Sequence, residues 1–220
     1  MATHSLAASP KTVRRGSAGK PIPSVEVRIA EDGEILTRGP HVMAGYYKNE
    51  KATAEILKDG WLYTGDYGRI DEDGFLYITG RKKEILVTSG GKNVAPVYLE
   101  SLLTQDPLIL QALVIGDNRN YLTALLVPNL DALRKEMAGQ GIVLAQDEAL
   151  HSHPQVLAIV QDRVNQRLAC VSSFEQVRKI TLLPRPFTIE AGEMTAKLSL
   201  RRKVIEANFA AEIEAMYRKG

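Results

Sequence analysis

The sequence has one cysteine, almost no net charge and no long apolar run. Cys170 is the single cysteine among 220 residues, which excludes an internal disulfide and fits a reducing compartment. Because it lies in an apolar stretch with helical spacing, we interpret it as a core residue and not as a nucleophile. Lysine and arginine number 28 against 26 acidic residues, so no general attraction to nucleic acid or to a membrane is expected.

No apolar segment approaches the roughly 20 residues that a membrane-spanning helix needs, and the N-terminus lacks the apolar centre of a secretory signal. We therefore expect a soluble, cytoplasmic protein, with attachment to a membrane surface left open. Residues 1–20 contain Ser, Thr, Arg and Lys but no acidic residue. This composition predicts a flexible lead and also suits an organelle transit peptide.

Residues 21–81 show short alternating apolar runs separated by turns. Val25, Val27 and Ile29 alternate with charged residues, which is typical of a strand with one buried face. The pattern predicts one helix at 50–57 and strands at 25–29, 35–38, 61–64 and 75–79. This part is therefore predicted to be a small, strand-rich and barrel-like body.

Residues 82–220 mix helical spacing with continuous apolar runs. The pattern predicts helices at 97–105, 130–138, 155–170 and 201–218, with strands at 111–116, 121–127 and 177–183. The fold class predicted for the chain is α+β, with the strand-rich subdomain joined at a hinge to a C-terminal α+β domain.

The first candidate site is Tyr63-Thr64-Gly65-Asp66, at the end of a predicted strand. A carboxylate beside a glycine can accept two hydrogen bonds from a vicinal diol, as the acidic residue of a dinucleotide fold does with ribose. Asp66 is therefore a candidate ribose ligand. An aspartate after glycine also commonly stabilises a turn, so the tetrapeptide alone does not separate the two interpretations.

The second candidate site is the joint between the two parts, where Arg81, Lys82 and Lys83 form a basic cluster. Arg81 presents a planar fork of donors suited to ribose or phosphate oxygens, whereas the two lysines are flexible point charges. The alternative is a solvated basic turn.

Gly90, Gly91 and Lys92 follow in a small polar loop at 88–93. Backbone amides without side chains can line a narrow passage for another molecule. The alternative is an ordinary hairpin turn with one glycine at positive φ.

The third candidate site is the glycine-containing loop at 192–203, which is predicted to open a helix. It carries Lys197 near the start of that helix. A lysine on such a loop can neutralise the charge that develops during substitution at phosphorus. The alternative is an ordinary basic first turn, and the cluster Arg201-Arg202-Lys203 is more typical of a solvated helix face than of a nucleic-acid site.

In order along the chain, these segments resemble the adenylate-forming superfamily of acyl-CoA synthetases, peptide-synthetase adenylation domains and luciferases. The resemblance covers nearly all of the chain from Gly16 onward, and its last motif is most similar to the long-chain fatty acyl-CoA synthetase branch. The matching motifs are Thr37-Arg-Gly-Pro-His-Val-Met-Ala-Gly-Tyr-Tyr-Lys-Asn49, Gly60-Trp-Leu-Tyr-Thr-Gly-Asp66, Gly74-Phe-Leu-Tyr-Ile-Thr-Gly-Arg81 and Thr88-Ser-Gly-Gly-Lys-Asn-Val-Ala-Pro96.

The resemblance implies an AMP-forming long-chain fatty acid-CoA ligase with ATP, CoA and a fatty acid as ligands and Mg²⁺ in the complete enzyme. The carboxylate attacks the α-phosphorus of ATP, and the CoA thiol then displaces AMP. The resemblance also implies residue roles: Asp66 and Arg81 bind the nucleotide, Lys83 is the hinge, Gly90, Gly91 and Lys92 line the passage of the pantetheine arm, and Lys197 is catalytic. Residues 1–20 would be a lead, 21–81 the end of a large N-terminal AMP-binding domain and 82–220 a mobile C-terminal domain.

Two departures from the family pattern qualify these roles. The phosphate-binding loop, the acyl pocket and a Thr-Glu motif that helps to hold magnesium precede the matched region in the family. We therefore expect no metal ligand in this chain and no adenylation by this fragment without that N-terminal part. Second, when Thr195 and Arg201-Arg202 are placed on the pattern without a gap, the lysine position falls on Ser199. Lys197 is the nearest amine and remains the candidate.

Other functions stay open. The chain could serve as a free-standing nucleotide- or CoA-binding regulatory module, or belong to an acyl-adenylate ligase that serves a carrier protein. Nucleic-acid binding through residues 201–203 is disfavoured by the near-neutral net charge.

Overall fold

The computed structural model describes residues 6–7, 14, 16–139 and 150–218. The chain divides into two compact units, Met1–Ile85 and Leu86–Gly220, which we call the first and the second unit. The sequence pattern had placed the boundary between Arg81 and Lys82. Helices and strands both contribute to the described part, which confirms the predicted α+β class.

The first unit is built around an antiparallel sheet with the strands Glu26–Ile29, Glu34–Arg38, Trp61–Ile70 and Leu57–Lys58 in that spatial order, and Leu76–Arg81 also pairs with Trp61–Ile70. The strands predicted at 25–29 and 35–38 are confirmed and form an antiparallel hairpin, and the predicted short helix is confirmed, with its N-terminus capped by the Asn49 side chain. The elements are β1 (Leu6–Ala7), β2 (Lys20–Pro21), β3 (Glu26–Ile29), β4 (Glu34–Arg38), α1 (Glu50–Ile56), β5 (Leu57–Lys58), β6 (Trp61–Ile70) and β7 (Leu76–Arg81).

Strand β6 is much longer than predicted. The sequence pattern ended it at Thr64, because Gly65 and Gly68 normally interrupt a strand. The structure continues it to Ile70, with Gly65 at φ +73° and a register shift against β7 between Tyr67 and Gly68. The glycines therefore bend the strand without ending it, and β6 pairs with both β4 and β7.

The second unit contains a three-stranded sheet with the strands Ile109–Ile115, Leu122–Pro128 and Val177–Leu182 in that order, in which the first two are antiparallel and the last two are parallel. A separate two-stranded hairpin precedes it. The elements are β8 (Leu86–Val87), β9 (Asn93–Val94), α2 (Pro96–Leu103), β10 (Ile109–Ile115), β11 (Leu122–Pro128), α3 (Leu130–Gly139), α4 (Pro154–Arg167), β12 (Val177–Leu182), α5 (Arg202–Asn208) and α6 (Ala210–Tyr217).

Both faces of this sheet are buried, which explains the continuous apolar runs of its strands. Side chains of β10 and β11 alternate between two core clusters because successive residues of a strand point to opposite faces. Ala124 and Leu126 join a cluster with α2, α3 and α4, whereas Leu125 and Val127 join one with α5 and α6.

Two predictions about the helices of the second unit were wrong. Cys170 is exposed and lies beyond α4, not in the core. The buried stripe of this helix is Val156, Val160 and Val164, continued by Leu168, and a residue two positions later falls off that stripe. The final helix, predicted as one, is divided at Phe209, whose φ and ψ of −114° and 28° are not helical.

Candidate functional site

Asp66 and Arg81 lie directly opposite each other on β6 and β7. Their side chains approach to 3.4 Å between Arg81 Nε and Asp66 Oδ1. The Arg81 side chain is 72% exposed and that of Asp66 is 27% exposed. A carboxylate and a guanidinium are thus presented side by side where β7 ends, and most of the Arg81 side chain is exposed.

Asp66 is held by a local network in which Thr64 bridges two strands. The Thr64 hydroxyl donates to the Ile35 carbonyl at 2.8 Å and accepts from the Asp66 backbone N–H at 3.1 Å. Between these residues Gly65 adopts a φ of +73°, a conformation that favours glycine. The tetrapeptide is therefore a bend inside a long strand, and strand pairing positions Asp66.

Lys82 does not behave as the flexible point charge that its sequence suggested. Its ammonium donates to Asp32 Oδ2 and to Glu34 Oε2, both at 2.7 Å. The Glu34 side chain is only 4% exposed, and its other oxygen accepts from the Gly65 backbone N–H at 2.8 Å. These hydrogen bonds raise the pKa of Lys82, and the bond from Lys82 lowers the pKa of Asp32. The Lys82 ammonium is thus engaged in ion pairs within the first unit.

Lys83 follows in a short 3₁₀ turn, Lys82–Glu84, at the end of the first unit. Its side chain is exposed and has no hydrogen-bond or ion-pair partner in the described part of the chain. Of the three cations in the basic cluster, Arg81 and Lys83 therefore remain available to a ligand or to another part of the protein.

The glycine loop of the second unit connects β8 to β9 and is closed by Thr88. The Thr88 hydroxyl accepts from the Lys92 N–H at 3.1 Å, and its carbonyl accepts from the Gly91 N–H at 2.8 Å. The following Ser89 is tied to the turn after β10, since its N–H donates to the Arg119 carbonyl at 3.0 Å. The hairpin turn that the sequence offered as the alternative interpretation is present, and hydrogen bonds fix its base.

The two glycines of this loop differ in what they require. Gly91 has a φ of +72°, which a side chain would strain. Gly90 has no such conformation, and a Cβ there would come no closer than 3.9 Å to the Thr88 Oγ1 atom. The folded unit itself therefore does not require a glycine at Gly90. Lys92 is exposed, with its ammonium 5.8 Å from the centre of the Phe174 ring.

Lys197 lies at the tip of a tight turn and not at the start of a helix, because α5 begins only at Arg202. The Leu198 N–H donates to the Thr195 carbonyl at 2.8 Å, and the Thr195 N–H donates to the Ser199 carbonyl at 2.9 Å. Leu198 has a φ of +61°, which is unusual for a residue with a side chain. The turn presents Lys197 to solvent without a partner among the described residues.

Ser199 occupies a different place in the same turn. Its N–H donates to the Thr195 hydroxyl at 3.2 Å, and its carbonyl accepts from the Thr195 N–H. Ser199 therefore helps to close the turn, whereas Lys197 projects from it.

The base of the Lys197 turn is fixed by Glu193, whose side chain is fully buried. Arg185 donates two hydrogen bonds to its oxygens, at 2.8 and 2.7 Å. The Asn208 amide and the Thr188 N–H add two more, at 3.0 and 3.3 Å. The Arg185 guanidinium is the main reason that the pKa of Glu193 is lowered from its ordinary value near 4.5. The Asn208 hydrogen bond connects the loop to α5, and the ion pair with Arg185 connects it to the segment that follows β12.

The basic cluster at 201–203 is not a continuous charged surface. Arg202 donates to Glu100 Oε1 at 2.6 Å and to the Val114 carbonyl, so it joins α5 to α2 and β10. Arg201 and Lys203 are exposed. The interpretation of all three residues as a solvated face is therefore wrong for Arg202, which is also unavailable to a nucleic acid.

No group of three or more His, Cys, Asp or Glu residues suited to a metal ion occurs where the structure describes the chain. Within the same ranges, no helix is both long enough and apolar enough to cross a membrane.

Glu34 and Glu193 were missed in the sequence. Acidic residues are normally exposed, so neither was predicted to be buried. One signal was readable in the sequence, since each glutamate directly follows a glycine. In the structure these glycines, Gly33 and Gly192, have positive φ angles of +92° and +70°.

Comparisons with a family model, with curated proteins and with solved structures all point to one enzyme family. The family model described as the AMP-binding enzyme C-terminal domain matches residues 83–220. Long-chain-fatty-acid-CoA ligase FadD15 of Mycobacterium tuberculosis is 46% identical over 205 residues, which cover 93% of this chain and 34% of that ligase. Long-chain-fatty-acid-CoA ligase ACSBG2 of Rattus norvegicus is 37% identical, over 84% of this chain and 31% of that ligase.

Among solved structures, O-succinylbenzoate coenzyme A synthetase of Bacillus subtilis in complex with ATP and magnesium ion is similar, with a TM-score of 0.61 and 28% identity. The similarity covers 90% of this chain and 38% of that one. The chain thus spans about a third of the length of the curated relatives it matches. These matches confirm the resemblance stated from the motifs: the chain belongs to the AMP-binding, adenylate-forming enzyme family, and residues 83–220 are its C-terminal domain.

Proposed function

We propose that this chain acts as the C-terminal part of an ATP-dependent long-chain fatty acid-CoA ligase in the cytoplasm. The observation that carries the proposal is the pairing of Asp66 with Arg81 across β6 and β7. It places a carboxylate that can accept hydrogen bonds from a diol beside a guanidinium that can donate hydrogen bonds to phosphate. The names of the relatives with 46% and 37% identity support the substrate class.

On the nucleotide side, Asp66 accepts hydrogen bonds from the two ribose hydroxyls of ATP. The exposed Arg81 guanidinium donates to ribose or phosphate oxygens. Strand pairing and the Thr64 hydroxyl hold both groups before the ligand arrives, so little conformational freedom is lost on binding.

In the first half-reaction, a carboxylate oxygen of the fatty acid forms a bond to the α-phosphorus, and the bond to the leaving pyrophosphate breaks. Negative charge builds up on the phosphoryl oxygens in this step. Lys197, held by its turn and free of any described partner, supplies the cation that stabilises this charge.

Between the half-reactions the second unit turns about Lys83, whose exposed side chain lies at the end of the first unit. In the second half-reaction the CoA thiol attacks the acyl carbonyl, and AMP leaves. The pantetheine arm passes Gly90, Gly91 and Lys92. The open space at Gly90, which the folded unit does not need for its own packing, supports this assignment.

Mg²⁺ would neutralise charge on the phosphates of ATP. The described residues include no cluster of metal ligands, and we assign no magnesium ligand among them. The phosphate-binding loop and the acyl pocket would likewise come from the remaining part of the ligase.

A chimeric ligase tests the proposal. In this chimeric ligase, the present chain replaces the matched third of FadD15. We expect release of pyrophosphate that depends on a long-chain fatty acid, followed by acyl-CoA formation, and no turnover by the 220-residue chain alone. A folded chimera without either reaction, or turnover by the chain alone, contradicts the proposal. Replacing CoA by a carrier protein with a pantetheine arm distinguishes the two acceptor classes.

A further inference from the structure

Glu34 is a buried carboxylate whose two oxygens have partners on two different segments. Oε1 accepts from the Gly65 N–H at 2.8 Å, and Oε2 accepts from the Lys82 ammonium at 2.7 Å. Gly65 directly precedes the candidate ribose ligand Asp66, and Lys82 directly precedes the candidate hinge Lys83. One side chain therefore connects the nucleotide side of the first unit to the point where this unit ends.

Burial of a carboxylate is unfavourable unless hydrogen bonds and an opposite charge compensate it. At Glu34 the Gly65 N–H and the Lys82 ammonium provide this compensation. Asp32 adds a second carboxylate to the same ammonium at 2.7 Å, and its other oxygen accepts from the Glu34 N–H at 3.1 Å. Lys82 is thus held between two anions whose positions are themselves fixed by hydrogen bonds.

The place of this contact in the chain is informative. Strand β7 ends at Arg81, so Lys82 is the first residue beyond the strand pairing with β6. The backbone there has lost its ladder of hydrogen bonds. The Lys82 side chain replaces the ladder with an ion pair and so extends the ordered part of the first unit by one residue.

We propose that Glu34 is a positioning residue that, through Lys82, fixes where the chain begins to turn. With Lys82 held against Glu34 and Asp32, rotation of the backbone starts at Lys83. The same carboxylate holds Gly65 and thereby keeps Asp66 in register with Arg81. This inference rests on the proposed function for the meaning of the turn, whereas the contact itself is a property of the chain alone.

Hydrogen exchange measured by mass spectrometry on the 220-residue chain tests the contact. In Glu34→Gln the amide oxygen can still accept from Gly65, but the Glu34 charge that faces Lys82 is lost and only that of Asp32 remains. We expect exchange in a peptide covering residues 82–86 to become roughly tenfold faster, because a charged hydrogen bond no longer protects the 3₁₀ turn. Lys82→Met, which changes the exposed end of the pair, should give the same result, and Lys82→Arg should restore protection.

Glu26→Gln is the matched control, since Glu26 pairs with Arg38 on the same sheet and both are exposed. Exchange at residues 82–86 should be unchanged in this variant. Equal exchange in wild type, Glu34→Gln and Lys82→Met would overturn the proposed contact, whatever the chain's activity.

The positioning role needs a kinetic readout in the chimeric ligase. We expect Lys82→Met to lower kcat for acyl-CoA formation several-fold while KM for ATP stays within about twofold of wild type, because Asp66 and Arg81 are intact. Lys82→Arg should recover kcat. Faster exchange without any change in kcat would overturn the positioning role. An inactive wild-type chimera would instead count against the proposed function, and the exchange result would stand separately.

Discussion

The two units hold their exposed cations in different ways. In the first unit Arg81 belongs to a strand, and the register of β6 and β7 sets its distance from Asp66. In the second unit Lys197 belongs to a turn of a few residues outside any helix or strand, closed by Thr195 and Ser199. A strand side chain is positioned by many backbone hydrogen bonds, whereas the lysine depends on a few local ones.

The strand pair that carries Arg81 and the turn that carries Lys197 are nevertheless both held by a buried carboxylate that follows a glycine with positive φ. Glu34 accepts from the Gly65 N–H and Lys82, and Glu193 accepts from Arg185, Asn208 and the Thr188 N–H. The difference lies in what each anchor adds. Glu34 reinforces a sheet that is already paired, while Glu193 holds a loop that has little other regular structure. We therefore expect the second unit to be more sensitive to the loss of its anchor.

The largest expected effect on stability is at Glu193. Glu193→Ala leaves Arg185 and a backbone N–H without their buried acceptor, which should cost about 3 kcal/mol in the free energy of unfolding. Urea unfolding followed by circular dichroism measures this loss. Trp61 is the only tryptophan and belongs to the first unit, so the urea midpoint measured by its fluorescence should be the same in Glu193→Ala and wild type.

The exposed Glu190, three residues earlier in the chain, provides the control. Glu190→Ala should change stability by less than about 0.5 kcal/mol. Equal losses in the two variants would mean that the Glu193 network does not anchor the loop.

The next largest effect concerns the strand-held pair. Asp66→Asn keeps the size of the side chain but removes the charge that strengthens hydrogen bonds to a diol. In the chimeric ligase we expect KM for ATP to rise about tenfold, with little change in the melting temperature. Glu72→Gln, at an exposed position in the nearby turn, is the control. An unchanged KM for ATP in Asp66→Asn would contradict the assignment of Asp66 to the ribose.

Substitutions of the two loop glycines should have different effects, one on stability and the other on acyl-CoA formation. Gly91→Ala forces a side chain into φ +72° and should cost about 1 kcal/mol, measured by thermal unfolding of the chain. Gly90→Ala should change stability by less than about 0.5 kcal/mol and yet slow acyl-CoA formation in the chimeric ligase. Pyrophosphate release by Gly90→Ala should be normal. Full acyl-CoA formation by this variant would contradict the passage.

The smallest effect is a dependence on pH. The pKa of Glu193 is lowered in the folded chain, mainly by Arg185. A lowered pKa means that the contribution to stability is complete above the ordinary value near 4.5 and is lost as the pH falls through the folded value. The difference in unfolding free energy between wild type and Glu193→Gln should therefore shrink as the pH falls below 4.5. A difference that stays constant over this range would show that the charge does not contribute.

The sequence predicted the parts of the fold that depend on local patterns. The alternation of apolar and charged residues predicted β3 and β4. The continuous apolar runs predicted β10 and β11, because the side chains of these two strands enter two core clusters. Asp66 and Arg81 could be proposed from motifs, but their pairing required the register of two strands. The resemblance to the adenylate-forming family is confirmed, whereas the roles of the individual site residues stay predictions.

The errors have physical causes. Cys170 follows an apolar helical pattern, but α4 ends at Arg167, before the cysteine is reached. Lys82 looks like a surface charge because its partners, Asp32 and Glu34, lie about 50 residues earlier in the chain. Lys197 was expected near a helix start, since nothing in the local sequence shows that Thr195 and Ser199 close a separate turn.

The most direct test of the central claim is pyrophosphate release by Lys197→Ala in the chimeric ligase, with Lys203→Ala as the control. If Lys197 stabilises the developing charge, its removal should slow release about a hundredfold, and Lys203→Ala should leave the rate unchanged. Acyl-CoA formation from added acyl-adenylate should continue in both variants. Unchanged release by Lys197→Ala would contradict the account, and a gain in rate from Ser199→Lys in that background would place the required cation at Ser199 instead.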